Sequence, residues 1–113
     1  MDKLLLKISP LLIFGLFALN IYAAEISKHN FRPVNGYVPD AQTAIAIAVA
    51  VWSPIYGMEK IEQEKPYTAR LEGNIWHVTG SLNCPPNTKC LGGVAEIEIS
   101  KNSGEILRVS HGK

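Results

Sequence analysis

One stretch limits the possible folds of this chain more than any other. In VPDAQTAIAIAVAVWSPIYG no polar side chain occurs between Ala44 and Trp52. Asp40 can cap a helix, the alanines favour helix, and Pro54 ordinarily stops one. We therefore predict a helix from Ala41 to Trp52 or Ser53. Because nearly its whole circumference is apolar, this helix should be covered on more than one side. Burial in the core is the favoured interpretation, and contact of its back face with another protein is the alternative.

Period-two alternation predicts four strands after this helix. KPYTARLE and IWHVTGSL flank the turn signal at Gly73 and Asn74 and form one hairpin, and VAEIEIS and ILRVSHG flank KNSGE and form a second. The sequence thus predicts an α+β domain in which one main helix packs on a four-stranded antiparallel sheet. Besides the core residue Trp52, the side chains expected to face the helix are Tyr67, Ala69, Leu71, Trp76, Val78, Leu82, Ala95, Ile97, Ile99, Leu107 and Val109.

Two segments lack clear apolar periodicity. Residues 25–37, EISKHNFRPVNGY, predict an extended N-terminal arm, so that a single domain covers residues 38–113. MEKIEQEK, between the helix and the first strand, carries Glu59, Glu62 and Glu64. Such a charge cluster is typical of a solvated linker.

The N-terminal stretch MDKLLLKISPLLIFGLFALNIYAAE has the layout of a secretory signal peptide. Lysines precede an apolar run at residues 8–19, and Ala23 and Ala24 offer a cleavage site. The run is shorter than the roughly 20 residues of a membrane span. We therefore predict that residues 1–24 are removed and that the mature protein works in the periplasm. An uncleaved membrane anchor is the alternative.

The only two cysteines, Cys84 and Cys90, lie in LNCPPNTKCLGG. In an exported chain a solitary, even pair predicts a structural disulfide. A redox pair usually has C-x-x-C spacing, and a zinc site needs further ligands, so both are weaker alternatives. The disulfide should close the loop between the second and third strands.

The charge balance argues against nucleic acid or anionic lipid as a partner. Of the 11 basic and 10 acidic side chains, Lys3, Lys7 and Asp2 lie in the signal segment, which leaves nine of each. A near-neutral chain has no electrostatic footprint for either partner. Membrane contact is expected only through an uncleaved signal segment.

Catalytic chemistry has little support in the sequence. His29, His77 and His111 are scattered, and no Ser, Cys or carboxylate stands at the spacing of a recognised nucleophile or metal motif. We therefore expect no enzyme activity, no catalytic residues, no metal and no cofactor.

The sheet face opposite the helix should be polar and of mixed charge. Solvated sheet faces commonly have this character, and a specific protein partner can also recognise it. The candidate partner-binding residues are Arg70, His77, Glu96, Glu98 and Arg108 on this face and Lys89 at the tip of the cysteine loop.

The order and spacing of several motifs resemble a known family. These motifs are VPD followed by TAI, then W-x-P-I-Y-G, W-x-V-x-G and the terminal G-x-I-L-x-V-x-H-G-K, within Gly36 to Lys113. Together they resemble the small immunity proteins of bacterial polymorphic toxin systems that have the nuclear transport factor 2 (NTF2) fold. The resemblance implies a reduced NTF2-like (cystatin-like) architecture and a non-enzymatic protein that neutralises a cognate protein toxin.

A second resemblance covers only the last hairpin. There E-I-x-K-x-x-G-x-I-L-x-V is similar to small exported domains of the PepSY type. That resemblance implies binding or inhibition of a peptidase. It is the alternative to the immunity function.

Overall fold

The structure is a computed structural model and describes residues 29–112. The predicted signal segment lies outside the described residues. Pro33–Lys113 forms one compact unit. It contains, in chain order, helices α1 (Ala41–Tyr56) and α2 (Met58–Glu62) and strands β1 (Thr68–Glu72), β2 (Ile75–Thr79), β3 (Ala95–Ser100) and β4 (Ile106–His111).

The four strands form one antiparallel meander in the order β1-β2-β3-β4. The hydrophobic core lies between α1 and one face of this sheet. The predicted α+β class, with one main helix on a four-stranded antiparallel sheet, is confirmed. No helix within residues 29–112 is long and apolar enough to cross a membrane.

Helix α1 begins where the sequence predicts and ends later. The Asp40 carboxylate accepts a hydrogen bond of 2.7 Å from the Thr43 N–H. Hydrogen bonding by the Thr43 side chain, and then by this backbone N–H, lowers the pKa of Asp40. Pro54 does not stop the helix, which continues to Tyr56. In the last turn a proline removes only one helical hydrogen bond. The helix ends instead at Gly57, whose φ of 97° suits a residue without a Cβ.

In the described part of the chain, α1 is buried on the face toward the sheet and exposed on the opposite face. Ala44, Ala48 and Trp52 are buried against the core, whereas Ala46 and Ala50 on the opposite stripe are exposed. The expectation of cover on more than one side is therefore wrong for this stripe. Alanine tolerates exposure because little apolar surface meets water.

Both tryptophans are core residues, as predicted. Trp52 is fully buried and Trp76 is 7% exposed. The indole N–H of Trp76 donates to the Val38 carbonyl oxygen at 2.8 Å, and that of Trp52 lies 3.4 Å from the Glu96 carbonyl oxygen. Each ring thus fills the core while its polar atom keeps a partner.

Three leucines predicted to be inward are exposed: Leu71, Leu82 and Leu107, at 41%, 52% and 45%. Leu71 pairs with Trp76 but lies on an edge strand, which has a neighbour on only one side. Leu82 follows the end of β2 at Thr79 and so belongs to no strand.

A β-bulge explains the exposure of Leu107. Glu98 pairs with Arg108, but the next residue, Ile99, pairs with Ile106. Leu107 is the extra residue, and Ile106 takes the position opposite Ile99. Bulges insert one residue and shift the side-chain alternation, which period-two counting does not detect.

The segment predicted as a solvated linker is structured. Its first part forms α2, with Ile61 in the core, and Glu64 just beyond α2 is buried. The Tyr67 hydroxyl donates to the Ile61 carbonyl oxygen at 2.6 Å, which joins α2 to the entry of β1. The sequence did not predict this packing, because Ile61, the one buried residue of α2, lies among charged residues.

The end of the arm is tied to the turn between β3 and β4. Tyr37 N–H donates to the Asn102 carbonyl oxygen and Val38 N–H to that of Lys101, both at 3.0 Å. Gly36 is buried beside Lys101, and a Cβ on this glycine would collide with the Lys101 backbone. Residues 29–37 contain no helix or strand.

Cys84 and Cys90 form the predicted disulfide. The bond lies in the long connection between β2 and β3, as expected. Lys89, beside Cys90, is exposed.

Candidate functional site

Five of the six predicted partner-binding residues lie together on the sheet face that points away from α1. Cross-strand pairing places Arg70, His77, Glu98 and Arg108 in one row, with one residue from each strand. This arrangement follows from the period of two: the inward neighbours of these residues form the core, so the alternate positions point outward.

A parallel row lies beside the first. It consists of Thr68, Thr79, Glu96 and Ser110, again one from each strand. The hydroxyl oxygens of Thr68 and Thr79 are 3.2 Å apart and share a hydrogen bond. We call the two rows together with Glu72 the outward face.

Ion pairs join the β1 and β2 side of the outward face. The Nε of Arg70 lies 2.7 Å from Oε1 of Glu72, and the Nε2 of His77 lies 3.4 Å from Oε2 of the same carboxylate. The other ring nitrogen of His77, Nδ1, lies 3.3 Å from Oε1 of Glu98. His77 is therefore held between two carboxylates.

The chain of contacts continues through β3 to β4. The Nε of Arg108 lies 3.2 Å from Oε2 of Glu98, and its Nη1 lies 3.7 Å from Oε2 of Glu96. Arg108 Nη1 also donates to the Ser110 hydroxyl at 2.7 Å, which lies 3.4 Å from the Glu96 carboxylate. One polar network thus crosses all four strands.

Solvent reaches most of this network. The side chains of Arg70 and Arg108 are 69% and 47% exposed. Exposed ion pairs contribute only about 0.2 to 1 kcal/mol each to folding. The network therefore contributes little to stability and leaves its charges accessible to a partner.

An open depression of about 170 Å³ lies within the outward face. Arg70, His77, Thr79, Glu96 and Arg108 line it, over Val78 and Ile97. Basic and acidic side chains therefore line the same depression.

Lys89 does not join this network. It lies in the disulfide loop and makes no hydrogen bond or ion pair with any residue that the structure describes. The structure thus separates the six candidates into a five-residue network and a single exposed loop cation.

A second polar cluster, which the sequence analysis missed, joins Glu64 and His111. Oε1 of Glu64 accepts a hydrogen bond from the Ala95 N–H at 2.7 Å, and Oε2 lies 3.0 Å from Nε2 of His111. The His111 ring packs on Tyr56 with ring centroids 5.0 Å apart. Gly80 makes room, because a Cβ there would collide with the Glu64 side chain.

No local signal could have revealed this cluster. His111 is 47 residues from Glu64 in sequence, and the third partner is a backbone N–H. Only the meander, which brings the start of β3 and the end of β4 together, places them beside the α2 end. The cluster therefore joins the segment after α2 to the start of β3 and to the end of β4.

Neither cluster has the composition of a metal site. Among residues 29–112, no group of three or more His, Cys, Asp or Glu side chains is arranged to hold a metal ion. What the outward face can do with its charged and hydroxyl groups is form hydrogen bonds and ion pairs with another molecule.

Comparison with known proteins identifies the family. The family described as NTF2 fold immunity protein matches residues 43–113. A protein of Escherichia coli (strain K12) described as "Uncharacterized protein YhhH" is 35% identical over 80 residues. That match covers 71% of this chain and 61% of the relative, so the chain corresponds to less than two thirds of that protein. No solved structure matches the chain. The match over 43–113 extends from the first turn of α1 through β4, and the chain belongs to the NTF2 fold immunity protein family.

Proposed function

We propose that this protein is an exported immunity protein that binds one cognate toxin acting in the periplasm and shields the active site of that toxin. Family membership supports the immunity function and favours a non-enzymatic role. The signal-like sequence of residues 1–24 supports export.

The observation that carries the proposal is the ion-pair network of the outward face. The network connects basic side chains and carboxylates in alternation. Its members, in order of contact, are Arg70, Glu72, His77, Glu98, Arg108 and Glu96. Such a pattern attracts a surface of complementary charge and repels others, so it gives specificity for one partner. An immunity protein needs this property because it must recognise its own toxin.

The size of the domain suits this function. A standard protein interface buries about 800 Å² on each partner. A four-stranded sheet face with the adjoining disulfide loop can supply such an area. Blocking an active site by occupying its surroundings requires no catalytic group on the immunity protein.

The disulfide supports the assignment to the periplasm. Cys84 and Cys90 are bonded, and disulfides persist in the bacterial periplasm but are rare in the cytosol. A toxin neutralised there would act on the cell wall or on the membrane from outside the cytoplasm.

If a gene adjacent to that of this protein encodes a candidate toxin, survival of cells that express this toxin tests the proposal. The toxin is directed either to the periplasm or to the cytosol, with and without this protein. We expect protection only when the toxin is in the periplasm and this protein is expressed with the signal segment, residues 1–24, that directs its export. Lack of protection, combined with no binding between the purified proteins, would exclude the immunity function and favour a peptidase inhibitor of the PepSY type.

Charge reversal then identifies the binding surface. We expect Arg70→Glu to reduce protection because it reverses a charge at one end of the network. Stability should change by about 1 kcal/mol or less, since Arg70 is exposed. Survival counts and thermal unfolding measure the two effects.

Two further variants complete this experiment. Lys60→Glu makes the same change on α2, away from the outward face, and should leave protection unchanged. Lys89→Glu makes it on the disulfide loop. If Lys89→Glu abolishes protection while Arg70→Glu does not, the loop rather than the sheet carries binding.

A further inference from the structure

We propose that the depression in the outward face receives a carboxylate side chain of the protein partner, an inference that rests on the proposed immunity function. A volume of about 170 Å³ is well above the roughly 10 to 15 Å³ that one water molecule needs. A side-chain group can therefore enter it.

The charges around the depression favour an anion. Two guanidinium groups, those of Arg70 and Arg108, line it together with the His77 ring, against one carboxylate, that of Glu96. The other two carboxylates of the outward face, Glu72 and Glu98, do not line the depression. They contact the Nε atoms of Arg70 and Arg108, at 2.7 and 3.2 Å.

These contacts orient the two guanidinium groups. Arg70 contacts Glu72 through Nε, and Arg108 contacts Glu98 through Nε and both Glu96 and Ser110 through Nη1. A guanidinium presents five N–H donors in a planar fork whose geometry matches a carboxylate.

The two arginines approach the depression from opposite strands. Their Cα atoms stand three strand spacings apart, about 14 Å in a sheet with neighbours about 4.8 Å apart. Both long side chains nevertheless line the same depression. A carboxylate entering between them can receive charge-assisted hydrogen bonds, which are about twice as strong as neutral ones.

A basic group is a poorer occupant of the same space. Glu98 contacts both His77 and Arg108, and Glu96 already faces Arg108 and Ser110. A lysine or arginine of the partner would compete with these contacts and would meet two like charges in the lining, those of Arg70 and Arg108, whereas a partner carboxylate would meet one, that of Glu96. The depression therefore selects for a carboxylate.

Titration of the isotope-labelled full chain with three capped tripeptides tests the selectivity. The peptides are Gly-Glu-Gly, Gly-Gln-Gly and Gly-Lys-Gly. The NMR signals of the Nε–H groups of Arg70 and Arg108 report occupancy. We expect saturable shifts with the glutamate peptide and at least tenfold weaker binding of the other two. Equal shifts with the glutamine peptide, preference for the lysine peptide, or no shift with the glutamate peptide would overturn the proposal.

Binding to the candidate toxin used in the survival experiment provides the second test. Arg70→Gln and Arg108→Gln should each weaken binding at least tenfold, whereas the matched control Lys60→Gln should change it less than twofold. Circular dichroism checks that the variants are folded. If the toxin binds the unsubstituted protein and both arginine variants equally, the carboxylate proposal fails and the immunity function stands. If the toxin does not bind even the unsubstituted protein, both fail.

Discussion

Glu64 carries a carboxylate into the interior of the domain, where each of its oxygens has a different partner. It is 7% exposed, and it contacts the Ala95 N–H through one oxygen and the His111 ring through the other. A buried charge without partners costs several kcal/mol, so these two contacts are what make its burial possible.

Removing this carboxylate should destabilise the domain. Glu64→Ala leaves the buried Ala95 N–H without an acceptor and removes the partner of His111 Nε2. Leaving one buried group unsatisfied costs about 1 to 3 kcal/mol. We expect a loss of this size in the free energy of unfolding, measured by urea denaturation.

Glu59→Ala is the matched control, because Glu59 is an exposed glutamate of α2. Surface substitutions of this kind usually stay within about 0.5 kcal/mol. Equal stability of the two variants would show that the Glu64 contacts do not hold the domain together.

At the level of structural elements, the long connection between β2 and β3 depends on its disulfide. Only seven residues, Cys84 to Cys90, are enclosed by the bond. In the chain-entropy model a loop of this length contributes about 2 to 3 kcal/mol. Neither cysteine belongs to a helix or strand, so the sheet does not require the bond to form.

The double variant Cys84→Ser/Cys90→Ser should therefore fold with lower stability. We expect an unchanged far-UV circular dichroism spectrum and a loss of about 2 to 3 kcal/mol in the free energy of unfolding. A reductant should lower the melting temperature of the unsubstituted protein to that of the variant and leave the variant unaffected. Two alkylatable thiols in the unreduced periplasmic protein would contradict the prediction.

Tyr67 shows how the molecule as a whole responds to alkaline pH. Burial is the first cause that raises the pKa of its hydroxyl above the usual value of 10, and the nearby Glu62 charge is the second. The folded state thus keeps this proton at pH values at which the unfolded chain releases it. The resulting stability is fully present below pH 10 and is lost as pH rises from 10 through the folded pKa.

Thermal unfolding across the alkaline range tests this linkage. We expect the melting temperature of the unsubstituted protein to fall above about pH 10. Tyr67→Phe should be less stable at neutral pH, because it loses the bond to the Ile61 carbonyl oxygen, but should decline less steeply above pH 10. Lys65, whose pKa is raised by the Glu62 carboxylate first and by the Tyr67 charge last, titrates in both proteins and contributes to the decline of both. Parallel curves for the two proteins would refute the role of Tyr67.

The sequence predicted the sheet better than the ends of its elements. Alternation in VAEIEIS sufficed to place Ala95, Ile97 and Ile99 inward, because a strand with a neighbour on each side obeys the period of two strictly. It failed at Leu107, where one extra residue shifts the alternation. It also failed at Pro54, because a proline in the last helical turn sacrifices only one hydrogen bond.

The two polar clusters differ in predictability for a physical reason. The residues of the outward face follow from the strand period once the inward residues are known, so Arg70, His77 and Glu98 could be grouped from sequence. Glu64 and His111 meet through tertiary packing between distant segments, and no local periodicity encodes such a contact.

The row of Arg70, His77, Glu98 and Arg108 also has an evolutionary consequence. Each of the four strands contributes one residue to it, and the sequence neighbours of these residues, apart from Leu107 in the bulge, point the other way. Substitution at one row position changes the charge pattern while the inward side chains stay as they are. Under the proposed function, a lineage whose toxin partner changes can therefore alter the recognition properties of this face in single substitutions, each with little effect on folding.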